Sequence, residues 1–328
     1  MVFILMLILL VCILLLPSCA RADESPAAHQ RRSLKSLHDA FGSAANSQYA
    51  YSIAHRLATD LHLHNNATYG GRQAGSDAEH AAADYLADEM RRIGLSDVEK
   101  AAAKCDKWQF NGASFTVNGT EYPVYTYATA STAPEGITAP IVYVGRGTMY
   151  DYEGVDVKNK IVLVDIDQRA DWWITYPMLE AEHQGAAAIL AANVGGFGQV
   201  ADDALNSQDI CGPTSIPTCS IGVRASREIR AQLPHGTVLG TLKVDNTVEI
   251  GKGTTYNVTG RIRGKSSEFQ ILLGGHYDTH FWGFQDDCCA VGLVLAAAKA
   301  MLDIGFEPEN DIVFCLHGAE EWGSSYTQ

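Results

Sequence analysis

Basic residues are scarce in this 328-residue sequence: Lys and Arg number 24 against 38 Asp and Glu, a formal net charge of −14. A chain of that sign repels phosphate backbones, which argues against nucleic acid as a partner and mildly against an anionic membrane surface. Past residue 16 no apolar run is long enough for a second membrane-spanning segment. No internal repeat is present. The glycine-rich turn Tyr69–Ser76 lacks both the G-K-[ST] ending and the preceding strand of a phosphate loop. There is no G-x-S-x-G motif, and the adjacent Cys288 and Cys289 lack a positioned base, which weighs against serine or cysteine hydrolase chemistry. The cysteine spacing fits neither a zinc finger nor a redox C-x-x-C.

What remains is a globular composition, 47% hydrophobic and 19% charged, with a length suited to two or three domains and a substantial core. Val2–Leu16 is a continuous apolar stretch, short for a bilayer span, followed by Pro17 and the small-residue run that ends Ala20-Arg21-Ala22. This pattern reads as a secretory signal peptide over 1–22 with an A-x-A-type cleavage site, although no Lys or Arg precedes the apolar run. The expectation is a secreted or extracytoplasmic protein without a transmembrane span after cleavage. Leu16-Pro-Ser-Cys19 leaves a lipid anchor at Cys19 as an alternative, and an uncleaved N-terminal anchor as another. Export permits disulfides, for which Cys211 and Cys219 are the best local pair. Sequons at Asn66, Asn118 and Asn257 matter only in a eukaryotic secretory pathway.

Along the chain, residues 23–40 read as a loose polar segment leading into a helix. Ile53, Leu57 and Leu61 recur at helical spacing over 46–63, and a second helix runs from Asp77 to Ile93, capped by Ser76 and closed by Gly94. Short strands are expected at Phe115–Val117 and Tyr122–Tyr127. The Thr/Ala/Pro-rich stretch 128–140 reads as a linker and domain boundary. A βαβ-like unit follows, with strands at 141–144, 160–165, 185–191 and 216–221 and helices at 178–184 and 225–233. Nothing in it gathers catalytic residue types. The last segment offers strands at 256–264, 269–273 and 311–316 around an alanine-rich helix at 290–302, an order that implies parallel neighbours in an α/β sheet.

Chemistry-bearing residues collect in that last segment. His276 and Asp278 lie just past one strand end, Glu320 and Glu321 just past another, and Asp286 and Asp287 lie between them at the entrance to the alanine-rich helix. Open α/β sheets gather ligands outside the carboxyl ends of their strands. Imidazole nitrogen with carboxylate oxygen suits zinc or a similar divalent ion. Each cluster alone is an ordinary polar turn or solvated face; three of them aimed at one rim are not. His280 and His317 are the local candidates for additional ligands, and both read better as rim residues.

His276-Tyr-Asp278-Thr, Asp286-Asp287 and Ala319-Glu320-Glu321-Trp-Gly323 together resemble the co-catalytic zinc exopeptidases of metallopeptidase family 28, which include aminopeptidases and glutamate carboxypeptidases. Gly71-Arg-Gln-Ala-Gly-Ser76 and the helix after it resemble the start of their catalytic domain, and residues 133–240 resemble an inserted protease-associated (PA) domain. The resemblance implies a mixed, mainly parallel α/β sheet with helices on both faces. It divides the chain into a signal peptide (1–22), the first part of the peptidase domain (23–132), the PA domain (133–240) and the rest of the peptidase domain (241–328). It implies two zinc ions per site in a complete chain, with His276 on one, Glu321 on the other and Asp286 bridging. Glu320 would be the general base, and Asp278 would orient and polarise His276. The substrate class would be peptides, cleaved from an end, with aminopeptidase action as the first reading. The family uses two further ligands downstream, an acidic residue and a histidine, so the sequence to Gln328 is expected to be C-terminally incomplete. The alternative reading is an inactive fragment whose PA domain serves as an interaction module. Cys288 and Cys289 stand where the family has small residues, and either inert packing, metal binding or a vicinal disulfide would accommodate them.

Overall fold

The computed structural model describes residues 26–126, 129–167, 169–170, 175–195, 201–206 and 215–321. The signal-peptide and Cys19 readings, Cys211, and Trp322-Gly323 of the last motif lie outside them. Two compact units divide at Ala45. The first contributes one helix, α1 (Pro26–Ala44), so a stretch read as loose is helical. All that follows belongs to the second unit. Among the described residues no helix is long and apolar enough to cross a membrane.

The two helices expected next both form, but the first stops at Thr59, and Leu61, read as part of its apolar face, is exposed in the short turn that follows. In α2 (Ser47–Thr59) the Asn46 side chain accepts the Tyr49 N–H at 2.9 Å, and Ile53 and Leu57 are buried on one face. In α3 (Asp77–Ile93) Ser76 Oγ accepts the Glu79 N–H at 3.1 Å, and Gly94 closes the helix at φ +99°. That left-handed conformation is one glycine adopts without a Cβ penalty.

Among the described residues, ten strands build one mixed sheet. β1 (Ser96–Val117) and β8 (Leu239–Ile262) pair antiparallel over nearly their whole lengths. On one half of this ribbon, β8 pairs antiparallel with β4 (Ile137–Tyr143), which continues in parallel to β5 (Ile161–Asp167), β6 (Ala188–Gly195) and β7 (Thr218–Ile221). β2 (Thr120–Tyr122) and β3 (Val124–Tyr125) lie at the two ends of this arrangement. On the other half, β8 pairs antiparallel with β10 (Asn310–His317), and β10 pairs in parallel with β9 (Ser266–His276). The mixed α/β class is therefore observed, with the ribbon as its spine.

Two expectations change. The strand read at 115–117 begins at Ser96, because pairing with β8 overrides the poor strand propensity of Glu99-Lys-Ala-Ala-Ala-Lys104. The linker read over 128–140 ends earlier, since β4 starts at Ile137 and its first residues pair with β8. Irregularities near Cys105 and Phe110 bend the ribbon locally.

The core follows this layout. Leu57, Leu86, Met90, Val258, Leu295, Phe314 and Leu316 join α2, α3 and α6 (Cys289–Asp303) to strands β8 and β10. Around β5 and β6, which are buried almost throughout as befits central parallel strands, separate apolar clusters lie on the two faces. One includes Phe115, Leu163 and Leu242, with Ile229 from α5 (Val223–Arg230). The other includes Val162, Val164 and Met178, the last from α4 (Thr175–His183). β9 pairs only with β10 among the described strands and leaves Phe269 and Leu272 exposed.

Candidate metal centre

Parallel pairing sets the geometry of the site. β9 and β10 run side by side in a register that places His317 opposite His276, so both strands end at one rim. The chain then turns sharply after each strand. Thr279, Phe281 and the segment that follows lead into a π-turn, Phe284–Cys288, that carries Asp286 and Asp287, joined by a cis peptide, into α6. After β10, Ala319 adopts φ +65°, and Glu320 and Glu321 follow.

Three side chains converge there. One imidazole nitrogen of His276 and one carboxylate oxygen each of Asp286 and Glu321 lie within 4.8 Å of one another. His276 Nε2 is 3.0 Å from Asp286 Oδ1. Nδ1 of His276 donates to the Asp278 carbonyl oxygen at 3.0 Å and lies 3.4 Å from the Asp278 carboxylate, an arrangement that turns Nε2 toward Asp286 and makes it the nitrogen available to a metal ion. Glu320 reaches the same space, with Oε2 at 3.8 Å from His276 Nε2. One nitrogen and two oxygens at this spacing fit a divalent cation of the zinc type.

Electrostatics agree with that fit. Burial opposes a charge on His276, but the Asp278 and Asp286 carboxylates outweigh it and push the imidazolium up to about 11. The pocket therefore stabilises positive charge, whether a proton or a metal ion supplies it. The His276 contact holds the Asp286 carboxyl below the usual carboxylate range. Burial raises Glu320, helped by Glu321, Asp278 and Asp286 and opposed by His276.

Asp278 is completely buried, and its carboxylate does more than face His276. Oδ1 accepts the Glu320 N–H at 3.1 Å and Oδ2 accepts the Glu321 N–H at 3.0 Å. His280, also buried, has its Nε2 2.9 Å from Glu321 Oε2, and its main-chain N–H donates to Glu321 Oε1 at 3.3 Å. It thus grips Glu321 and is not one of the three converging donors. His317 sits beside His276 with ring centroids 6.2 Å apart, and burial lowers its pKa.

Residues that sequence reasoning passed over brace the rim from below. Gly71 N donates to Phe281 O at 2.5 Å, and Arg72 and Thr279 exchange main-chain hydrogen bonds at 3.1 and 3.2 Å. The Arg72 guanidinium is fully buried and donates to the carbonyls of Tyr277, Leu57 and Leu63 and to Cys288 Sγ. The glycine-rich turn is thus a clamp on the loop after β9, a role that the likeness of Gly71–Ser76 to the start of a catalytic domain did not reveal. Cys288 and Cys289 are free thiols; Cys288 packs in the core beside Val291 and Leu295. Cys219 is buried in the cluster around β6, while its suggested partner Cys211 lies outside the described residues.

Comparison with known proteins places this geometry. Residues 257–326 match Peptidase family M28, and residues 137–229 match the PA domain. The probable leucine aminopeptidase 2 of Aspergillus fumigatus is 28% identical over 261 residues, covering 79% of this chain and 49% of that protein. Carboxypeptidase Q of Bos taurus is 24% identical over 271 residues, covering 78% of this chain and 57% of that protein. The chain therefore spans about half the length of the curated relatives it matches. Among solved structures, a peptidase M28 precursor from Shewanella amazonensis superposes with a TM-score of 0.71 at 23% identity, covering 88% of this chain and 68% of that one. BSAP, a zinc aminopeptidase from Bacillus subtilis, gives 0.64 at 22% identity, covering 86% and 64%. These two likenesses are of fold.

Proposed function

We propose that this chain, whose residues 257–326 match Peptidase family M28 and whose residues 137–229 match the PA domain, is an exported zinc exopeptidase of that family that removes residues from the amino ends of peptides. The observation that carries this reading is the convergence of His276, Asp286 and Glu321 donors within 4.8 Å at the ends of two parallel strands, with Glu320 alongside. The leucine aminopeptidase relative supports the amino-end preference.

In this reading His276, Asp286 and Glu321 would hold zinc. Zinc, when bound, polarises a peptide carbonyl and lowers the pKa of water toward about 7. The protein's own contribution is positional and acid–base. Asp278 fixes the His276 tautomer and the direction of the Glu320-Glu321 backbone through one carboxylate. Glu320, beside the ligands, would take the proton from the attacking water and return it to the leaving amine. Its half-exposed carboxylate is accessible from solvent, whereas the ligands His276 and Glu321 are almost entirely enclosed.

The test is zinc titration by calorimetry combined with hydrolysis of aminoacyl p-nitroanilides and of peptides blocked at one end or the other. The expected result is zinc binding by wild type and by Glu320→Gln, with hydrolysis of amino-free substrates by wild type and a loss of about 100-fold or more in the variant. Wild type that binds no zinc, or Glu320→Gln that keeps full activity, overturns the assignment. Cleavage confined to peptides with a free carboxyl end corrects the direction of attack.

A further inference from the structure

Beneath the rim lies another buried carboxylate, which is not one of the three converging donors. Glu79, on the first turn of α3, is 0% exposed. Its Oε1 accepts the Tyr277 hydroxyl, the Thr255 hydroxyl at 3.2 Å and the Tyr256 N–H at 3.4 Å. Its Oε2 accepts the Gly75 N–H at 3.3 Å and lies 3.6 Å from His80 Nε2. A carboxylate so enclosed is expensive to bury unless its lone pairs are filled, and here they are. The sequence Ser76-x-x-Glu79 has the form of a capping box. Oε2 instead bonds the residue before the cap, and Oε1 reaches past α3 into the sheet.

What Glu79 touches is the base of the candidate metal centre. Tyr277 follows His276 and precedes Asp278, and its hydroxyl also lies 2.7 Å from Tyr256 O, so its one proton serves two acceptors. Its main-chain N–H donates to His317 O at 3.0 Å, while its carbonyl accepts from Arg72 Nε at 2.5 Å. Gly318, two residues before Glu320, lies directly over the same carboxylate: a Cβ there would collide with Thr255 Oγ1 and come within 3.1 Å of Glu79 Oε1. Arg72 extends the network to Cys288, at the end of the turn that carries Asp286. All three segments that carry the converging donors therefore rest on one buried set.

Resting on the zinc reading above, we propose that Glu79 and Tyr277, with Arg72, are positioning residues that hold the ends of β9 and β10 and the Asp286 turn in the register that brings His276, Asp286 and Glu321 together. None of the three touches the reacting atoms. Their effect is to preorganise the donors, so their loss appears as weaker metal affinity more than as a lost fold. Partners of this kind are worth about 10- to 100-fold in metal affinity.

The experiment compares wild type, Tyr277→Phe, Glu79→Gln and the exposed control Glu99→Gln by zinc titration against a chromophoric chelator. Thermal unfolding of the metal-free proteins is measured in parallel, and affinities are read at a temperature where each is folded. The expected result is a zinc dissociation constant raised about 10-fold or more in Tyr277→Phe and Glu79→Gln and unchanged in Glu99→Gln. A merely structural role would lower the unfolding temperature and leave zinc affinity within twofold of wild type, and that result overturns the inference. If Glu79→Gln fails to fold, Tyr277→Phe, which removes a single hydroxyl, decides alone. Wild type that binds no zinc overturns the proposed function and this inference with it; wild-type binding matched by both variants overturns this inference only.

Discussion

Asp278 Oδ2 accepts the main-chain N–H of Glu321 at 3.0 Å. This one bond ties the loop after β9 to the loop after β10, so the histidine ligand and the glutamate ligand are placed by a common carboxylate. Asp278→Asn should expose this dependence. An asparagine side chain has one carbonyl oxygen for two amides, and its NH2 group would face an N–H that needs an acceptor. The expected cost is about 1–3 kcal/mol in folding stability together with zinc affinity weakened by about 10- to 100-fold. Urea unfolding and chelator competition measure the two effects separately. Unchanged zinc affinity would mean that Asp278 is a structural cap alone.

Gly318→Ala probes the closeness of the layer below the rim. The added methyl meets Thr255 Oγ1 and the Glu79 carboxylate, and neither can retreat, because both are hydrogen-bonded and buried. Overpacking of this kind costs about 1–3 kcal/mol, to be read from the denaturation midpoint. Restoration by a second change, Thr255→Ser, which removes a methyl but keeps the hydroxyl, is not expected, since the clash is with the oxygen.

His64 makes stability depend on pH. Burial first, and then the Arg72 guanidinium, lower its folded-state pKa from 6.5 to about 4. As pH falls from neutrality the unfolded chain takes up this proton before the folded chain does, so stability is lost progressively from about 6.5 downward to the folded value. Between pH 7 and pH 5 the contribution is about 2 kcal/mol, at about 1.4 kcal/mol per unit below the unfolded pKa. Urea unfolding of wild type and His64→Leu at both values checks it: the variant's loss on acidification should be smaller by about that amount. Equal losses would assign the acid sensitivity to other groups.

Leu86→Ala tests the joint between α3 and the sheet. Leu86 is fully enclosed in the cluster that includes Leu57, Val258 and Phe314. Removing a buried leucine side chain is expected to cost about 2–5 kcal/mol, with the lower end if the cluster collapses into the space. The α3 helix supplies Glu79, so this variant should also weaken zinc binding once it nears its unfolding transition, and only there.

Periodicity and strand-end placement were enough to read the helices α2 and α3, the strands β5, β9 and β10, and the grouping of His276, Asp286, Glu320 and Glu321 on one rim. These are local properties. Apolar spacing sets which face of a helix is buried, and a parallel crossover sends both strand ends the same way. The long ribbon of β1 and β8 was not legible, because an Ala- and Lys-rich stretch becomes a strand only when its partner, 150 to 160 residues on, supplies the hydrogen bonds. The brace beneath the site was hidden for the same reason. Arg72, Glu79 and Tyr277 are separated by up to 205 positions, and a buried charge announces itself only through the partners that surround it. The sequence by itself determined which side chains could hold a metal ion. Only the tertiary structure decided how the β9–β10 register, the Asp278 bridge and the Glu79 carboxylate bring them within reach of one another.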